Sequence, residues 1–249
     1  MAAPRAKKIK KRGALFAPIS FLLIALALGL GISVFFRVNQ ITVTGNRQYS
    51  EEEIIEASGI QTGDNLFFIN RGAAYSRIYT RLPYVENAVI TRSLPNRLQI
   101  RITESSAMAV VAAEESGQWI VDRTCKLLAP ADGANLPGLI QVDGLTAIAP
   151  EVGQVVSPGE ADTPKVSYLG VILREISELG LKDDITRIDL SNVANPSFDY
   201  LGRFTVKLGA NENIDYKFQV LLSAVATLEE GDRGTLDLSV DKRAHLTYE

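Results

Sequence analysis

Residues 13–36 form a run of 24 without a single charge, closed off by Arg12 on one side and Arg37 on the other. Few folds can accommodate such a run. About 20 apolar residues, rising about 1.5 Å each, carry a helix across the hydrocarbon of a bilayer. No polar face interrupts it, which separates it from the amphipathic helices that cover soluble cores. Pro18 falls near the start, where a missing N–H costs little. Ahead of the run stand Arg5, Lys7, Lys8, Lys10, Lys11 and Arg12, with no acid among them. The positive-inside bias therefore predicts a cytoplasmic tail over 1–12, a spanning helix over 13–36 and export of the remaining chain. A cleaved secretory signal would carry an apolar core of about 7–15 residues and a small-x-small exit. This run is longer and ends Val34-Phe35-Phe36, so an uncleaved anchor is expected.

Composition then restricts the exported part. The whole chain has 26 basic and 29 acidic residues, a net charge of −3. Seven of the basic residues and none of the acidic ones lie in the first 37 positions, which leaves 19 against 29, net −10, beyond the membrane. An acidic surface of this kind speaks against nucleic acid as a partner, because a phosphate backbone rewards clustered Lys and Arg. The basic cluster can touch anionic headgroups, and it serves equally well as the topology signal. Cys125 is the single cysteine, so no intrachain disulfide can form in spite of the outward location.

From about residue 38 the pattern becomes that of a small α+β unit. Ile41 and Val43 alternate with Thr42 and Thr44 before a Gly45-Asn46 turn, as in a short strand. Ser50 and Glu53 stand at capping-box spacing before Ile54, Ile55 and Ala57, and Gly59 supplies a helix stop. Leu66-Phe67-Phe68-Ile69 reads as an apolar plug for the core. Asn70 can cap a second helix with Tyr75, Ile78, Tyr79 and Leu82 on one face, stopped by Pro83. Two strands come next, Val85 to Thr91 and Arg97 to Thr103, joined by a Pro95-Asn96 turn. In the second, Leu98, Ile100 and Ile102 face one way and Arg97, Gln99, Arg101 and Thr103 the other. The order β-α-α-β-β predicts two helices on one face of a three-stranded sheet.

The stretch from Leu82-Pro83-Tyr84-Val85 through Asn87-Ala88, Arg92, Pro95-Asn96 and the alternating strand to Glu104 resembles a polypeptide-transport-associated (POTRA) domain. Val43-x-Gly45-Asn46 and Gly63-Asp64-Asn65-Leu66 fit the same pattern. Leu94 stands where an aromatic often precedes the turn proline, and Ser105-Ser106-Ala107 replaces an Arg-x-Pro. An anchor followed by one such domain is similar to the bacterial division family FtsQ/DivIB. The resemblance implies a single-pass membrane protein at the division septum. It also implies a second, mostly β domain that bears the principal partner site.

Residues 106–249 predict a mixed sheet domain. Short strands are expected at Met108 to Ala113, Gln118 to Asp122 and Cys125 to Ala129, with turns at Leu136 to Leu139 and Val142 to Leu145. Thr146 to Pro164 reads as a loop with one extended piece at Gln154 to Val156. Leu169, Ile172, Leu173, Ile176 and Leu179 stripe one helix, and Ile214, Phe218, Leu221, Leu222, Val225 and Leu228 another. Strands at Ile185 to Leu190 and Phe204 to Leu208 lie between them, with Asn192, Asn195 and Pro196 in the connection. Helices on one face of a sheet are the expected arrangement.

The last stretch, Thr235 to Tyr248, alternates as one strand with Leu236, Leu238, Val240, Ala244, Leu246 and Tyr248 on a side that only Lys242 breaks. A strand at a sheet edge can receive another chain, and it can equally be a packed last strand whose charges keep the edge soluble. The family resemblance favours docking, since there the C-terminal part pairs with short coiled-coil proteins, FtsB/DivIC-like and FtsL-like. It makes Asp237, Ser239, Asp241, Lys242, Arg243, Leu246 and Tyr248 the expected partner-binding residues. Lys242 and Arg243 would pair with acidic groups, and Tyr248 would supply apolar contact.

No constellation for chemistry emerges. His245 has no second histidine for a zinc site, and Cys125 with His245 makes a weak nucleophile–base pair. Asp183-Asp184 and Glu229-Glu230 flank turns, and no calcium-loop pattern is present. The expectation is a protein without catalysis, cofactor or metal that assembles division proteins and couples them to the septal wall synthase complex. The competing readings are a POTRA-bearing chaperone for protein export or outer-membrane assembly and a membrane-anchored wall enzyme.

Overall fold

The apolar run is helical from Phe16 to Phe35 (α1), and its window Pro18–Phe35 has a mean hydropathy of 2.3 with none of it buried. The computed structural model describes residues 16–114, 117–133, 136–240 and 244–248, so the basic tail and the first residues of the expected anchor lie outside the described residues. Twenty residues rise about 30 Å, the thickness of the hydrocarbon layer. The remainder divides into two compact units. The first continues to Ile78 and resumes at Ala88–Ile102; the second comprises Tyr79–Asn87 and everything from Thr103.

In the first unit β1 (Gln40–Thr44), α2 (Glu51–Ser58), α3 (Arg71–Arg81), β2 (Val85–Ser93) and β3 (Arg97–Glu104) occur in the expected order. The sheet runs β1-β3-β2, with β1 parallel to β3 in the register Ile41 to Leu98 and Val43 to Ile100. Local chemistry sets both helix starts. The Ser50 hydroxyl accepts from the Glu53 amide while the Glu53 carboxylate accepts from the Ser50 amide, so two orphan donors of α2 are satisfied reciprocally. Gly59, at φ 65°, closes the helix in the left-handed conformation that glycine adopts without a Cβ penalty. Asn70 Oδ1 accepts from the Ala73 amide and starts α3. Ile54, Ala74, Ile78, Leu98, Ile100 and Ile102 are buried and form the core.

The apolar plug is not all core. Leu66 is fully buried, but Phe67 and Phe68 point outward, Phe68 with 80% of its surface exposed. Four consecutive apolar residues in a turn cannot all face one interior, and the bonds of this loop to the end of α1 decide which one goes in.

The second unit is built on a nine-stranded sheet in the order β12-β11-β10-β9-β8-β7-β4-β5-β6. Its strands are β4 (Ala109–Ala113), β5 (Gly117–Val121), β6 (Leu127–Pro130), β7 (Ile140–Ala147), β8 (Ile185–Asp189), β9 (Ser197–Tyr200), β10 (Phe204–Lys207), β11 (Gly234–Asp237) and β12 (His245–Tyr248). Helix α4 (Thr163–Leu179) links the parallel pair β7 and β8, and α5 (Ile214–Val225) links the parallel pair β10 and β11. Parallel neighbours need such crossovers, and the two helices supply them. Tyr168, Leu169, Ile172 and Ile176 of α4 and Ile214, Phe218 and Leu221 of α5 pack into one core with Val142, Ile188, Phe198, Val206 and Leu236 of the sheet. Phe198 stacks on Phe218 with ring centroids 5.6 Å apart.

Three local expectations change. Val142 to Leu145 is no turn, because β7 runs through it. The ladder with β4 steps from Val111–Val142 to Ala112–Thr146, so Asp143, Gly144 and Leu145 form a bulge, with Gly144 at φ 77° packed against the Ser191 backbone. The connection after β8 contains a further strand, β9, whose four residues alternate too briefly to stand out from the Asn and Pro around them. The terminal stretch is two strands rather than one: β11 and β12 form an antiparallel pair.

Candidate protein-interaction edge

β11 lies parallel to β10 and is buried at Leu236; Leu238, just beyond it, donates its amide to Lys207 O and is buried as well. The Asp237 side chain then ends the strand, its Oδ1 accepting from the Ser239 amide at 2.8 Å. Partial burial works to raise the Asp237 pKa, but the Ser239 hydroxyl and amide, with Lys207 and His245 nearby, outweigh it and hold the carboxyl below its ordinary value. The chain reverses and returns as β12, pairing Asp237 with His245, Leu236 with Leu246, Thr235 with Thr247 and Gly234 with Tyr248.

The return is tight at its far end. Gly234 has φ 145°, and a Cβ placed there would lie 2.1 Å from Thr247 O. Only glycine lets the two backbones approach this closely. Leu246 faces inward, half-buried against the core, whereas Tyr248 on the same side is 63% exposed. His245 and Thr247 are exposed on the opposite, polar side. β12 is the outermost strand and pairs with β11 alone among the described strands, so its other edge offers backbone N–H and C=O groups to a further strand.

The expected partner-binding residues therefore separate. Asp237 and Ser239 cap β11, Leu246 packs the hairpin onto the core, and Tyr248 is presented to solvent. Asp241, Lys242 and Arg243, which fall between the two strands in sequence, lie outside the described residues. His245 and Thr247, not among the expected contacts, share the exposed strand, and Gly234 shapes it. Glycine at the start of an alternating stretch is the one sequence signal that marks the close approach.

The side chains weighed for chemistry do not converge. Cys125 precedes β6 at one edge of the nine-stranded sheet, and His245 begins β12 at the other. Eight strand spacings of about 4.8 Å separate the two edges. Burial, helped by Asp122, pushes the Cys125 thiol up to about 12, far from a reactive thiolate. Among the described residues no group of three or more His, Cys, Asp or Glu is placed to hold a metal ion.

Comparison with known proteins agrees with this architecture. Residues 36–105 match the model of the FtsQ-type POTRA domain. The chain is 28% identical to the cell division protein DivIB of Clostridium botulinum across 94% of its own length and 90% of the relative's. It is 31% identical to DivIB of Bacillus subtilis across 45% of its length and 44% of that protein's, and 30% identical to FtsQ of Corynebacterium glutamicum across 46% and 52%. With one apolar helix of membrane-spanning length among the described residues, a match to the POTRA domain of the FtsQ type and a large mixed sheet after it, the chain is similar over most of its length to the DivIB/FtsQ cell division proteins.

Proposed function

We propose that the chain is a non-catalytic assembly protein of the division complex, anchored in the cell membrane at the septum. Its N-terminus is cytoplasmic and both folded units are extracytoplasmic. The outer edge of β12 receives an extended segment of a short coiled-coil division protein, FtsB/DivIC-like or FtsL-like, and through it couples to septal wall synthesis. The observation that carries this reading is the open edge of β12 at the end of the sheet. Strand addition there would supply main-chain hydrogen bonds for affinity, with alternate side chains for selectivity. Tyr248 offers an aromatic anchor, and Lys242 with Arg243 would pair with acidic groups on the partner. The anchor keeps both molecules at one surface, so a modest interface suffices.

The test is capture of purified partner ectodomains by the full chain in bilayers. Tyr248→Ala, and separately Lys242→Glu with Arg243→Glu, are each expected to weaken capture by about tenfold, roughly 1.4 kcal/mol, with the melting temperature unchanged. Unaltered affinity in both variants would remove the β12 edge as the docking site. Recovery of barrel precursors instead of coiled-coil proteins from membranes would point to an export chaperone.

A further inference from the structure

The end of α1 is tied to the loop between α2 and α3. Asn65 Nδ2 donates to Ile32 O at 3.1 Å and Ser33 O at 3.4 Å in the last turn of the helix, where Ile32 O also accepts from the Phe36 amide and Ser33 O from Arg37 Nε, each at 3.3 Å. The Oδ1 of the same side chain accepts from the Phe67 amide at 2.9 Å. Leu66 N donates to Phe36 O at 2.9 Å, and Val38 N to Asp64 O at 2.8 Å. Phe67 meets Phe36 edge to face at 4.9 Å, and Phe36 meets Phe35 at 5.2 Å. The loop therefore lies level with the exit of the apolar helix.

The outward aim of the two phenylalanines is held from behind. Arg92 Nη2 donates to Ile69 O at 3.0 Å and to Phe67 O at 3.4 Å, which brackets Phe68 between two fixed carbonyls. Phe68 is 80% exposed and Phe67 46%, while Leu66 beside them is fully buried. No other large apolar side chain among the described residues is as exposed as Phe68. A rigid loop that turns two aromatic rings to the outside needs an apolar or interfacial surrounding. The surface continuous with it is the exposed wall of α1, closed by Phe35, and two rings are far too small a patch for a protein partner of ordinary interface size.

We propose that this loop is a second membrane contact: Phe67 and Phe68 sit at the boundary of headgroups and acyl chains beside the exit of α1. Aromatic side chains belong at that depth. The proposal rests on α1 spanning the bilayer. It holds the first unit against the membrane at two points, so that the unit does not swing on a single stalk.

A nitroxide placed by Phe68→Cys tests it, because the one native cysteine, Cys125, is buried and escapes the label. The full chain is reconstituted into vesicles of phosphatidylethanolamine and phosphatidylglycerol. Collision with molecular oxygen, which enters lipid, is compared with collision with a water-soluble nickel chelate. Phe21→Cys within α1 and Val240→Cys on an exposed loop are the references. The oxygen-to-nickel ratio at position 68 is expected several-fold above that at 240 and nearer to that at 21. A ratio at 68 equal to that at 240, with 21 high, overturns the membrane contact and leaves the spanning helix intact. Equal ratios at all three positions overturn both.

Discussion

At the scale of single residues, two positions carry sharp consequences. Cys125 is enclosed beside α4, and its thiol is pushed up to about 12 by burial and then by Asp122. Ionisation is disfavoured in the folded state, so this contribution to stability is full below the unfolded thiol's 9.0 and is lost as pH rises toward about 12. A maleimide at pH 8 is expected to leave the native protein unlabelled and to label it fully in guanidinium. Gly234 is the other. An alanine there brings its Cβ against Thr247 O at a φ that L-residues avoid. Gly234→Ala is expected to cost about 2 kcal/mol, seen as faster amide exchange in β11 and β12 with exchange in β1 and β3 unchanged.

At the scale of elements, the sequence is most readable where local chemistry alone decides. Ser50 and Glu53 set the start of α2, Gly59 sets its end, and Leu98, Ile100 and Ile102 alternate along β3 and are all buried. Ser50→Ala is expected to lower the stability of the first unit by about 1 kcal/mol, measured by urea unfolding of the full chain in detergent. The terminal hairpin is unreadable for a definite reason. Its paired residues, Leu236 with Leu246 and Gly234 with Tyr248, have numbers that sum to the same even total, so even positions oppose even positions. Directly opposite side chains share a face. One alternation therefore runs through both strands as if no turn intervened, and Ser239 to Arg243 contains no Gly or Pro to announce one. The Asp143-Gly144 pair misleads in the opposite sense, because a bulge and a turn use the same residues. Leu246 shows what the edge needs internally: Leu246→Ala is expected to loosen β12 itself, seen as rapid amide exchange of Thr247 and Tyr248 in the free protein.

For the whole molecule, the legible quantities are the membrane segment and the charge asymmetry around it; the open edge of β12 is not legible, since sheet order depends on the crossovers α4 and α5. Seven basic groups by residue 37 against a net −10 after it set the expected orientation. A membrane-impermeant maleimide applied to intact cells is expected to label Val240→Cys and to spare the wild-type chain. Replacing Lys7, Lys8, Lys10 and Lys11 with glutamate is expected to reduce that labelling by reversing or blocking insertion.

Asn65 gives the anchor one more property. Its side chain bonds both to the last turn of α1 and to the loop after α2, so no free swivel lies between the helix and the first folded unit. A spanning helix changes its tilt to match the thickness of the lipid around it. With α1 spanning the bilayer as proposed and the joint locked, that tilt is expected to become the pitch of the first unit, so that local bilayer thickness would steer where its outer surfaces point.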